Sequence, residues 1–72
     1  MTPEDLETRL SGQPGSATVA AVVAALRADP DWSVTEVELE GYPVAFELVH
    51  QPTGTAYTLS RRAGRALRRR EH

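Results

Sequence analysis

The sequence contains no cysteine and no lysine, one tryptophan, one phenylalanine and no long apolar run. The missing cysteine rules out a disulfide scaffold, a zinc ribbon and thiol chemistry together. It is compatible with a reducing cytoplasm, the expected compartment. The longest apolar stretch lies within Ala17–Ala28, far short of the ~20 residues of a membrane span. Met1 leads directly into Pro3, Glu4 and Asp5, an acidic start that does not read as a signal peptide. Neither a phosphate-cradling glycine loop nor a clustered set of metal ligands is present, so no cofactor, metal or small-molecule substrate is expected. Because all basic residues are arginine and Ala and Val abound, codon usage points to a GC-rich bacterial or phage genome.

Seventy-two residues make one small domain, 1–72, with a core too limited to be generous. Such a chain must use its few large apolar residues well, or bury more by associating with itself or a partner. Its formal net charge is only −2, but the charge is unevenly laid out. Residues 1–60 hold Arg9 and Arg27 against nine acids, whereas residues 61–72 hold six arginines against Glu71.

Residues 1–15 read as a capping helix and loop. Thr2 is a good N-cap, Pro3 suits the first helical position and Asp5 can reach back as in a capping box. Met1 and Leu6 stand as a hydrophobic staple, and Ser11–Gly15 break the helix. A second helix opens with Ser16 as N-cap and stops near Asp29, ahead of Pro30. Val19, Val22, Val23 and Leu26 repeat at helical spacing and are expected on a sheet. The remaining faces are mostly Ala, which suits cover by the first helix or by a second subunit.

Three strands are expected next, completing a unit over residues 16–60. In the first, Thr35, Val37 and Leu39 alternate with Glu36, Glu38 and Glu40. Gly41-Tyr42 is read as a two-residue hairpin turn. That register opposes Leu39 to Val44, Val37 to Phe46 and Thr35 to Leu48, all facing the core, with the glutamates solvated and Glu36 opposite Glu47. A four-residue turn, Gln51–Gly54, then sets Leu48 against Tyr57 and Phe46 against Leu59. Trp32 is expected to cap the core edge.

Residues 61–72 read as an Arg-rich C-terminal helix or tail. On a helix, Arg61, Arg62, Arg65, Arg68 and Arg69 fall within an arc of ~120°. Their like charges repel at i,i+3 and i,i+4 by ~0.2–0.5 kcal/mol per pair, so the helix gains from an anionic partner. The expected fold is therefore α+β: two N-terminal helices on one face of a three-stranded antiparallel meander, then a short basic helix. This α-α-β-β-β-α order resembles the α-β-β-β-α order of double-stranded RNA-binding domains with an extra helix in front. Ser60-Arg61-Arg62 falls where those domains place a basic helix start. The glycine-rich approach to that helix is missing and the body is acidic, so the likeness is one of fold and assigns no family.

The functional expectation is a non-enzymatic binding module. Its leading form is polyanion binding, to the backbone of DNA or RNA, through Arg61, Arg62, Arg65, Arg68 and Arg69. The rival is a protein-interaction or homodimerisation module whose arginines answer acidic residues. The glutamate stripe matches no calcium loop. His50 sits on the inward parity with no carboxylate or nucleophile beside it, and reads as a packed, hydrogen-bonded residue. Ser11, Ser16, Ser33 and Ser60 have no nucleophile context. The second helix lacks the Arg, Asn and Gln that read base edges, which weighs against a helix-turn-helix.

Overall fold

The structure, a computed structural model, describes residues 1–60 and 67–70. Among them are two helices, α1 (Pro3–Arg9) and α2 (Ser16–Arg27), and four strands, β1 (Trp32–Leu39), β2 (Tyr42–His50), β3 (Thr55–Ser60) and β4 (Leu67–Arg70). The strands form one antiparallel sheet in the order β1-β2-β3-β4.

The start of α1 follows from its sequence. The Thr2 hydroxyl accepts from the Asp5 backbone N–H, the Asp5 carboxylate accepts from the Thr2 N–H, and Pro3 takes a position where no N–H is needed. Helix α2 is capped by Gly15, which makes no side-chain capping bond, so Ser16 is its first residue and not its cap. It ends at Ala28, just ahead of the extended pre-proline position. Val19, Val22, Val23 and Leu26 are its buried face. They join Leu6, Leu10, Trp32, Phe46, Leu48, Tyr57 and Leu59 in one core, with Met1, Val34 and Leu67 packed at its margin. Fully buried leucines such as Leu6, Leu26, Leu48 and Leu59 each contribute on the order of 1.5–3 kcal/mol by leaving water.

Two parts of the expected fold need correction. The first is the C-terminal helix: residues 67–70 form a strand, β4, paired antiparallel with β3 in the register Leu59↔Leu67 to Ala56↔Arg70. The sheet has four strands, not three, and the described element order, α-α-β-β-β-β, departs from that of the double-stranded RNA-binding domains. The physical reason is that β3 offers a free edge whose backbone groups a strand can satisfy, while repulsion along an arginine helix removes its local advantage. Residues 61–66 and 71–72 lie outside the described residues.

The second correction is the β1–β2 register. The turn is Glu40-Gly41, one residue earlier than expected, with φ of 53° and 82°, the pair of positive angles that a tight two-residue hairpin requires. Leu39 therefore opposes Tyr42, and a bulge between Val37 and Glu38 shifts the rest, so that Glu36 opposes Phe46 and Val34 opposes Leu48. A one-residue slip exchanges the two faces of a strand. Trp32 and Val34 take the core side, while Thr35 and Val37 lie on the face that no described element covers. Glu47 opposes Thr35, so the expected Glu36–Glu47 clash does not arise. The β2–β3 pairing agrees with expectation: Leu48↔Tyr57 and Phe46↔Leu59 across a Gln51–Gly54 loop.

Candidate functional site

The sheet has a helix-covered face and an open one. Trp32, Leu48, His50, Tyr57 and Leu59 share the covered face, and their alternates, among them Ser33, Thr35, Val37, Ala45, Glu47, Val49, Ala56 and Thr58, form the open face. Strand alternation carries this division into β4. Arg68 opposes Thr58 and Arg70 opposes Ala56 on the open face, whereas Arg69 opposes Tyr57 on the covered side.

This placement separates the predicted arginines. A helix would have stacked Arg65, Arg68 and Arg69 on one side; in β4, Arg68 and Arg69 lie on opposite faces of the sheet. Arg61, Arg62 and Arg65 fall outside the described residues. Arg70, which the helical reading left out of its arc, is the described arginine with an ion pair: its Nη1 lies 3.1 Å from Glu47 Oε1, both side chains being about half exposed. Alternation of two sides along a run of identical residues leaves no trace in the sequence, so the pairing could not be read from it.

On the covered side, Arg69 borders a hollow of ≈ 360 Å³ lined also by Glu4, Glu7, Thr53, Thr55 and Tyr57. The Tyr57 hydroxyl donates to Glu7 Oε2 at 2.6 Å. Burial of the ring, then that hydrogen bond and the Glu7 charge, push the phenol up to about 12, with Arg69 acting in the opposite direction. Tyr57 is thus held as a neutral donor. His50, 9% exposed, shares a 2.8 Å hydrogen bond between Nδ1 and Thr53 Oγ1 and packs its ring 4.9 Å from that of Trp32. It is a packed, hydrogen-bonded residue, as its parity predicted.

A third constellation ties the start of the chain down. The Met1 ammonium lies 2.8 Å from Asp29 Oδ2, and Asp29 Oδ1 accepts from the Asp31 N–H at 2.9 Å. The ammonium hydrogen bond first, and the Asp31 amide second, hold the Asp29 carboxyl below the usual carboxylate range. The Trp32 indole donates to the Met1 carbonyl at 2.7 Å.

The flank of α2 where its buried face meets Phe46 of the sheet presents a different surface. Val19, Ala20, Val23 and Ala24, with Phe46 as a wall and Arg27 at the far end, line an open groove of ≈ 490 Å³. Its signal in the sequence was the alanine-rich side of α2, where a covering element was expected; among the described residues α1 and the sheet leave this stripe open. At the β1–β2 hairpin end, Leu39 and Tyr42 are 60% and 73% exposed.

Among the described residues, no group of His, Asp or Glu side chains could hold a metal ion, and no helix is long and apolar enough to cross a membrane. No family model, curated protein or solved structure matches the chain.

Proposed function

We propose that this chain is a non-enzymatic protein-interaction module. The observation that carries the reading is the division of the arginines by β4. Arg70 meets Glu47 on the open face, and Arg69 lies across from Tyr57 on the other, where it borders the hollow that Glu4 and Glu7 also line. Among the described residues, Arg68 and Arg70 lie on one face of the sheet and Arg69 on the other, so these three do not form one basic surface. The open face adds support, because Val37, Ala45, Val49 and Ala56 sit half-buried among Thr and Ser with no described element over them. Mixed surfaces of this kind are typical of non-obligate protein interfaces. The groups that could carry chemistry have structural work instead: His50 holds Thr53, Tyr57 holds Glu7 and Asp29 holds the N-terminal ammonium. The absence of cysteine suits a reducing compartment, and the cytoplasm is the assignment we favour.

Polyanion binding through Arg61, Arg62, Arg65, Arg68 and Arg69 is the second reading. It keeps one observation in its favour: Arg68 is exposed on the open face with no ion-pair partner among the described residues. Against it, Trp32, Phe46 and Tyr57 are buried, and Tyr42 at the hairpin end is the exposed aromatic ring among the described residues, which offers little on which bases could stack.

The two readings separate in a titration of the chain with mixed-sequence duplex and single-stranded DNA and RNA at low salt. The interaction-module reading expects no saturable binding. Binding whose affinity falls with salt at a log–log slope of about −4 on duplex DNA, and whose slope flattens by about 2 in the Arg65→Gln, Arg68→Gln double variant, overturns it in favour of the polyanion reading.

A further inference from the structure

The hollow between α1, the start of β3 and the end of β4 sets unlike charges on opposite walls. Its helix wall carries Glu4 and Glu7, three residues apart and so on one side of α1. Its sheet wall carries Thr55, Tyr57 and Arg69. Thr55 and Tyr57 are alternate residues of β3, and Arg69 opposes Tyr57 from β4. At ≈ 360 Å³ the space falls within the size of sites that take small ligands. The two walls do not satisfy each other. Arg69 is near enough to the Tyr57 phenol to act on it, yet among the described residues it makes no ion pair with Glu4, Glu7 or any other acid. Glu4 has no ion-pair partner either, and Glu7 engages the Tyr57 hydroxyl through Oε2. A hydroxyl completes the sheet wall. His50 Nδ1 and Thr53 Oγ1 share a 2.8 Å hydrogen bond, and Thr53 Oγ1 donates to Thr55 Oγ1 at 2.9 Å. As the acceptor at the end of this series, Thr55 keeps its own hydroxyl hydrogen to give.

We propose that this hollow binds a small zwitterion of the α-amino-acid class, its carboxylate taken by Arg69 and the Thr55 hydroxyl and its ammonium by Glu4 and Glu7. Each simpler ligand leaves one wall opposed. A bare cation would face Arg69, and a bare anion would face two carboxylates, whereas a molecule with both charges sets unlike signs against both walls. The guanidinium fork matches a carboxylate in two parallel hydrogen bonds. The three donors of an ammonium suit a pair of carboxylates. Tyr57 supports the helix wall, because its phenol stays protonated at neutral pH and holds the Glu7 carboxylate without adding charge. The inference goes beyond the interaction-module reading, whose surface is the open face on the other side of the sheet.

Backbone amide chemical shifts, followed during titration with L-leucine, leucinamide and N-acetyl-leucine, read the proposal. The three probes share a side chain and carry both charges, the ammonium alone and the carboxylate alone. L-leucine is expected to give saturable shifts centred on Glu4, Glu7, Thr55, Tyr57 and Arg69. The other two should each bind about tenfold more weakly, the scale of one lost charge-assisted hydrogen bond. Arg69→Gln should weaken L-leucine by about tenfold and leave leucinamide no weaker. Glu4→Gln should weaken L-leucine and leave N-acetyl-leucine no weaker. Neither side chain makes an ion pair in the fold, so both variants should keep the parent melting midpoint. Leucinamide binding as tightly as L-leucine overturns the zwitterion as the ligand. Saturable binding that ignores both variants overturns the hollow as its place. The absence of any saturable shift with L-leucine up to tens of millimolar overturns the proposal altogether. The nucleic-acid titration decides the interaction-module reading independently of these results.

Discussion

Tyr57 lies in the middle of the sheet, with its ring in the core and its hydroxyl on Glu7. The ordinary phenol loses its proton near 10.0, whereas in the fold it does so at about 12. Between those values the folded chain keeps a proton that the unfolded chain has released, so stability falls as pH rises through this window and is whole below it. The melting midpoint is expected to drop between pH ~10 and ~12. Tyr57→Phe should flatten that limb, and at neutral pH should cost about 1 kcal/mol for the lost hydrogen bond. A variant whose alkaline limb matches the parent would show that another group sets it. His50 teaches the complementary lesson: its buried position was legible because inward parity at a strand end leaves an imidazole few options. Its partner Thr53 was not legible, because the His50–Thr53 bond depends on the shape of the Gln51–Gly54 loop.

At the scale of elements, the clearest text was local chemistry. Thr2, Pro3 and Asp5 specify the start of α1, and the Val19–Leu26 spacing specifies the face that α2 buries. The β2–β3 register was readable because a four-residue loop and two apolar strands agree on it. The β1–β2 register was not, because both Glu40-Gly41 and Gly41-Tyr42 contain the glycine that marks such a turn. The true turn puts Glu40 itself at a φ of 53°, a conformation a sequence reader assigns to glycine or asparagine first. The bulge after Val37 then absorbs the difference. Strand β4 was hidden for another reason: arginine is a good helix former, and only the waiting edge of β3 makes extended backbone the better choice. The turn supplies a direct check. Gly41, at φ 82°, should not tolerate a Cβ cheaply, and Gly41→Ala is expected to lower stability by roughly 1–2 kcal/mol, seen as a lower denaturant midpoint with an unchanged slope. An unaltered midpoint would place the turn elsewhere.

Across the whole molecule, one core joins both helices to one side of the sheet, and no described element covers the opposite side. Because neither helix rests on a second apolar layer among the described residues, folding is expected to be a single event. The arrangement also assigns an unplanned duty to Trp32. This is the chain's one tryptophan; it is 6% exposed, and its indole is bonded to the carbonyl of residue 1 while its ring lies against His50 at the far end of β2. The beginning of the chain, the exit from α2 and the entry to the sheet thus converge on one fluorophore. Its emission reports on all three at once, without a label. Melting followed by that emission should coincide with melting followed by far-UV ellipticity, as cooperative unfolding requires. An emission change at lower temperature would mean that the docked first residues leave while the sheet is still intact, and the indole would then time the loosening of one corner of the molecule against the collapse of the rest.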